Sequence, residues 1–104
     1  MRNNTTIRKW LESAPEMPTV FFMPETKENE YGLEDWAKLP HGSWKMSKVP
    51  SSILDKEFYP GYGTQRVPFF MAWSPNYVYY VYEYDGSTYL DWVQRHPTMK
   101  KVKH

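Results

Sequence analysis

Proline constrains this chain more than any other residue type. It occurs nine times in 104 residues, at positions 15, 18, 24, 40, 50, 60, 68, 75 and 97. Each ring removes a backbone donor and turns the preceding residue away from helical dihedrals. Five glycines add further breaks, so the helices and strands between them must be short. A chain of this length allows one domain. It buries roughly 60–70% of its unfolded surface, enough for one modest core.

Aromatic residues supply most of that core. They make up 18% of the chain: nine Tyr, five Trp and five Phe. Each buried ring removes about 150–250 Å² from water, and since disordered chains are poor in aromatics an ordered chain is expected away from its ends. Cysteine is absent, which excludes a disulfide framework, a thiolate-ligated zinc or iron–sulfur site and a thiol nucleophile. No apolar run of about 18 residues occurs, so no helix is expected to span a membrane. Met1–Trp10 lacks the apolar segment of a secretory leader, and a cytoplasmic location is the corresponding expectation.

The formal net charge is +1, but charge is segregated. Arg2, Arg8 and Lys9 make residues 1–10 basic, and seven acids against Lys27 make residues 11–37 strongly acidic. Residues 38–56 are basic again, and Arg95, Lys100, Lys101 and Lys103 close the chain with positive charge. Such balance argues against a dedicated nucleic-acid binder, which carries a basic excess.

Periodicity places the elements. Thr5 or Thr6 caps a helix over about 6–13, where Ile7, Trp10 and Leu11 form one stripe. Thr19–Met23 is a short apolar run between prolines and reads as a buried strand. Asn29 caps a helix over about 30–38 carrying Leu33, Trp36 and Ala37. Gly42–Val49 alternates weakly as a strand. Ser52 and Asp55 resemble a capping box opening a helix of about 52–59. Arg66–Trp73 is a second apolar strand with Pro68 at its start or on an edge. Tyr77–Tyr84 is the clearest strand, with Val78, Tyr80, Tyr82 and Tyr84 facing one way and Tyr77, Tyr79, Val81 and Glu83 the other. Asp85-Gly86 can turn into another strand. The Thr88/Asp91 capping pattern and the Tyr89, Trp92, Val93 stripe favour a helix ending at Pro97 instead. Residues 98–104 form a basic tail.

The resulting order, α-β-α-β-α-β-β-α, is similar to that of the thioredoxin-like fold. Val20-Phe21-Phe22-Met23 looks like the first core strand of that family, Val67-Pro68-Phe69-Phe70 like its cis-proline segment, and Thr88–His96 like its closing helix. The resemblance implies an α/β fold bordering on α+β. It would be a mixed sheet of about four strands with helices on both faces, in one domain over residues 1–97. The family's Cys-x-x-Cys would fall near Lys27-Glu28-Asn29-Glu30, where no cysteine stands. Thiol–disulfide exchange needs a thiolate, so the redox activity does not carry over. Glu28 and Glu30 would instead occupy the positive end of a helix. They read either as ordinary helix-start acids or, with Glu25, Glu34 and Asp35, as an acidic recognition rim.

Other chemistry is sparse. His41, His96 and His104 lack ligand spacing and read as turn or surface residues. Glu30 and Glu34 share a helical face, more simply a solvated face than a cation site. Gly61-Tyr62-Gly63 lacks the Lys-Ser/Thr of a phosphate loop. Trp10, Trp36 and Trp92 hold equivalent places in three stripes and read as core tryptophans packed from helices onto a sheet. No metal or cofactor is expected.

The sequence thus points to a redox-inactive, non-enzymatic protein-binding module, an adaptor or macromolecular inhibitor. Two surfaces are candidates. One is the groove beside Pro68, bounded by Glu25, Lys27, Glu28, Glu30, Gln65, Arg66 and Trp73; the other is Tyr79, Tyr80 and Tyr82. A single-stranded nucleic-acid binder using Trp44, Lys45, Lys48, the tail and the tyrosines is the rival. A non-thiol enzyme in the same groove is a third possibility, and a homodimer through the edge strand a further one.

Overall fold

A computed structural model describes residues 3–62 and 66–95. Gln65, His96, Pro97 and the basic tail lie outside the described residues. Helix α1 spans Ile7–Glu12 and β1 Val20–Met23; β2 covers Gly42–Lys45, followed by a single 3-10 turn over Met46–Lys48. Helix α2 spans Ser51–Leu54, and β3 (Met71–Trp73), β4 (Tyr77–Tyr84) and β5 (Ser87–Gln94) complete the described chain. The strands form one sheet in the order β2-β1-β3-β4-β5, with every neighbouring pair antiparallel.

This corrects the α/β expectation: the fold is dominated by an antiparallel sheet, not by a thioredoxin-like mixed sheet. Both helices pack on one side of it. Ile7 and Leu11 of α1 and Ile53 and Leu54 of α2 join Phe21, Ala72, Tyr79 and Val81 in a single core. Trp10 stands edge-on to Phe58 at 5.0 Å, and Phe21 stacks on Phe70 at 5.3 Å. Among the described residues, no helix packs on the opposite sheet face.

Local chemistry explains each departure. Helix α1 forms as expected, because the Thr6 side chain accepts from the Lys9 N–H at 3.1 Å and apolar Ile7 and Leu11 point inward. No helix forms over 30–38. Gly32 takes a φ of +84°, and Glu30, Leu33, Trp36 and Leu39 donate to carbonyls three residues back. The result is a run of turns that still delivers buried Trp36 to the core. Helix α2 stops at Leu54, and Asp55, instead of closing a capping box, takes a fork from Arg8 at 2.6 and 3.1 Å.

The 66–73 strand is reduced to Met71–Trp73. Pro68 cannot donate, and the Phe70 N–H turns back onto the Pro68 carbonyl at 2.7 Å, away from any neighbouring strand. The Val67–Pro68 peptide is trans.

The largest correction is at the end of the described chain, where the Thr88–His96 segment is a strand through Gln94. Asp85 and Gly86 have φ values of +52° and +81°, the two positive values of a type I′ hairpin loop. That loop sets an eight-residue register from Tyr84↔Ser87 to Tyr77↔Gln94. Trp92 therefore packs edge-on against Tyr79 at 6.0 Å from a strand, not a helix.

Candidate binding surface

The register sorts the strand residues onto two faces. Phe21, Met23, Trp44, Ala72, Tyr79, Val81, Leu90 and Trp92 face the helices. The other face carries Val20, Phe22, Met71, Trp73, Val78, Tyr80, Tyr82, Tyr84, Tyr89 and Val93. On it Val20 is 39% exposed, Tyr82 45%, Tyr84 63%, Tyr89 50% and Val93 51%. The Tyr82 and Tyr89 rings lie opposite each other at 6.3 Å.

Charge is scarce on this face. Lys45 stands at the β2 edge and Asp91 on β5, and Arg95, just past the end of β5, directs its guanidinium to the Ser74 carbonyl at 2.9 Å. Asp91 is tied down locally: Oδ2 accepts from the Tyr80 hydroxyl at 3.3 Å and Oδ1 from the Trp92 N–H at 2.8 Å. Partial burial, aided by the Asp91 carboxylate, raises the Tyr80 pKa above its ordinary value. Tyr80 thus keeps its proton and donates.

The edge of β5 is partly engaged. The Thr88 N–H donates to the Pro60 carbonyl at 2.7 Å, while the Arg95 N–H faces β4 and donates to Asn76 at 2.9 Å. Alternation along the strand then points the N–H groups of residues 88, 90, 92 and 94 away from β4. Thr88 has Pro60 and Trp92 has the Asp91 carboxylate, which blunts the edge against strand addition.

The first sequence-predicted surface is brought together in part. Glu25, Glu30, Arg66 and Pro68 line a groove of about 300 Å³ with Leu33, Phe69 and Glu83. Arg66 reaches Glu83 at 3.7 Å. Exposed Lys27 and Glu28 stand off this groove, and the Glu30 carboxylate accepts from the Lys27 N–H at 3.2 Å in a turn rather than at a helix start. Trp73 lies elsewhere, between Val20 and Val78 on the open sheet face.

The second predicted surface divides. Tyr80 and Tyr82 are on the open face, but Tyr79 is wholly buried. Its hydroxyl donates to the Glu16 carbonyl at 2.7 Å and accepts from the Glu16 N–H at 3.1 Å. Trp44 likewise packs into the core, at 6.5 Å from Phe21. Lys45 of the rival reading is on the open face.

Two features have no counterpart in the sequence reading. A groove of about 710 Å³ runs from Leu11 and Leu54 past Met17, Pro18 and Met46 to Val20 and Lys45, so it is continuous with the open face. Glu16 clamps the turn between β3 and β4: its carboxylate accepts from the Ser74 hydroxyl, the Asn76 side-chain amide and the Asn76 N–H at 2.7, 2.7 and 3.1 Å. The alternation in Tyr77–Tyr84 signals the open face, but no local pattern signals Glu16.

Among the described residues, no three His, Asp or Glu side chains gather to hold a metal ion. No helix there is long and apolar enough to cross a membrane. No protein-family model, no curated protein and no solved structure matches the chain.

Proposed function

We propose that this protein is a non-catalytic docking module that binds another polypeptide through the open face of its sheet. One observation carries this reading: ten large apolar or aromatic side chains share a sheet face on which no helix packs among the described residues, and whose charged strand residues, Lys45 and the hydrogen-bonded Asp91, stand on the two edge strands. Aromatic enrichment with few charges at the centre is the composition of a protein interface core. Tyr and Trp are its usual anchors. Contiguous apolar surface on this scale is uncommon on a monomer without a partner.

A photo-crosslinking residue at Tyr82 or Tyr89 tests the reading in source-cell lysate. Discrete protein adducts are expected from both positions and none from Tyr31, an exposed ring outside the sheet. Equal labelling from all three would remove the open face as the docking surface.

The paired Tyr82 and Tyr89 rings, with Lys45 at the face's border, favour single-stranded nucleic acid as a second reading. Salt separates the two: strand binding weakens steeply between low and physiological salt, and apolar docking does not.

A further inference from the structure

We infer that the polypeptide covering this face is a second copy of the chain, packed sheet to sheet about a two-fold axis. The inference rests on the docking reading above and goes beyond it by naming the occupant. Area is the first argument. Three exposed tyrosines, two exposed valines and five partly covered neighbours offer on the order of 700 Å², taking about 150–250 Å² for each ring. A standard stable interface removes about 800 Å² from each partner. Two sheets facing each other at about 10 Å would form an ordinary aligned sandwich core.

Charge decides the axis. Lys45 and Asp91 stand on opposite edge strands of the five-stranded sheet, roughly 19 Å apart across it at about 4.8 Å per strand. A two-fold axis between the sheets and perpendicular to the strands would lay β2 over β2 and β5 over β5, bringing Lys45 near Lys45 and Asp91 near Asp91. An axis close to the strand direction lays β2 of each copy over β5 of the other. Lys45 shares a cross-strand row with Val20, Trp73, Val78 and Val93, and Asp91 belongs to the next row, with Tyr80 and Met71. The offset is two residues, about 7 Å, which a lysine side chain spans. The face is therefore self-complementary in one orientation and self-repelling in the other. A dimer closed this way needs no free strand edge, consistent with the engaged N–H groups of Thr88 and Trp92.

Sedimentation equilibrium of the full chain tests this. The expected species is twice the 12.5 kDa chain mass. Lys45→Asp and Asp91→Lys should each weaken dimerisation about tenfold, and the double reversal should return it to within about threefold of wild type. Tyr82→Lys, on an exposed ring outside the core, should weaken it at least as much. It serves as the second variant if Asp91→Lys does not fold. A monomer persisting to about 0.5 mM would overturn the second copy, since any Kd below that value would show. So would a dimer indifferent to all these variants, or a face that fills only when another protein or an oligonucleotide is added. The docking reading fails separately, when crosslinkers at Tyr82 and Tyr89 label nothing beyond the Tyr31 control.

Discussion

Glu16 joins the turn between β3 and β4 to the buried Tyr79: its carboxylate accepts from Ser74 and Asn76 and its backbone pairs with the Tyr79 hydroxyl. The Ser74 hydroxyl and then the Asn76 groups hold its carboxyl below the ordinary carboxylate range, while its backbone satisfies the buried Tyr79 hydroxyl. Asp55 is lowered in the same direction by its hydrogen bond from Arg8. As the pH falls, the unfolded chain takes up protons at these sites before the folded one does. The stability they contribute is complete above the unfolded carboxylate values and is lost as the pH drops through the lower folded values. The melting temperature should therefore hold from pH 7 to about 5 and decline below about 4. Glu16→Gln should melt lower at pH 7 and lose less on acidification. Parallel acid limbs for the two proteins would show that this carboxylate is not linked to folding. Glu16 was illegible in the sequence because its partners lie 58 and 60 residues away. The Tyr77–Tyr84 alternation was legible because strand geometry alone separates Tyr79 from Tyr80 and Tyr82.

At the scale of elements, local preference and tertiary register competed, and the outcome differed from site to site. In α1 they agree: a threonine cap and one apolar stripe specify a helix that also fits the core. At Tyr89, Trp92 and Val93 they disagree. That spacing forms a helical stripe, but in a strand it places Trp92 on the core and Tyr89 and Val93 on the open face. Asp85-Gly86 decides, because a two-residue I′ turn fixes all eight pairs at once. Gly86→Ala should then destabilise by about 1 kcal/mol or more, read by urea unfolding, because alanine is strained at a φ of +81°. Gly86→Asn should cost less, since asparagine visits that region. Equal losses would locate the cost in the space around residue 86 rather than in its backbone. The Pro68 groove was partly legible, because Pro68, Arg66 and the acids of the 24–33 loop do converge. Trp73 was misplaced with it because β3 begins only at Met71.

Over the whole molecule, strand order and chain order diverge. β1 is an interior strand of the sheet, yet one of its neighbours, β3, arrives late: the Thr19 N–H reaches the Trp73 carbonyl at 2.7 Å across 54 residues. The β4–β5 hairpin, in contrast, closes through two residues. Hairpins form in about 1–10 μs, whereas sheets with distant pairings take milliseconds to seconds. We therefore expect a refolding chain to pass through an interval in which the hairpin presents Tyr79 and Trp92 on one side and Tyr82 and Tyr89 on the other, with neither side covered. Stopped-flow refolding should lose amplitude to aggregation as protein concentration rises, and a yield independent of concentration would refute this. The tight Asp85-Gly86 turn thus makes the most aromatic part of the chain the earliest to organise and the longest to wait, a vulnerability in assembly that the finished sheet conceals.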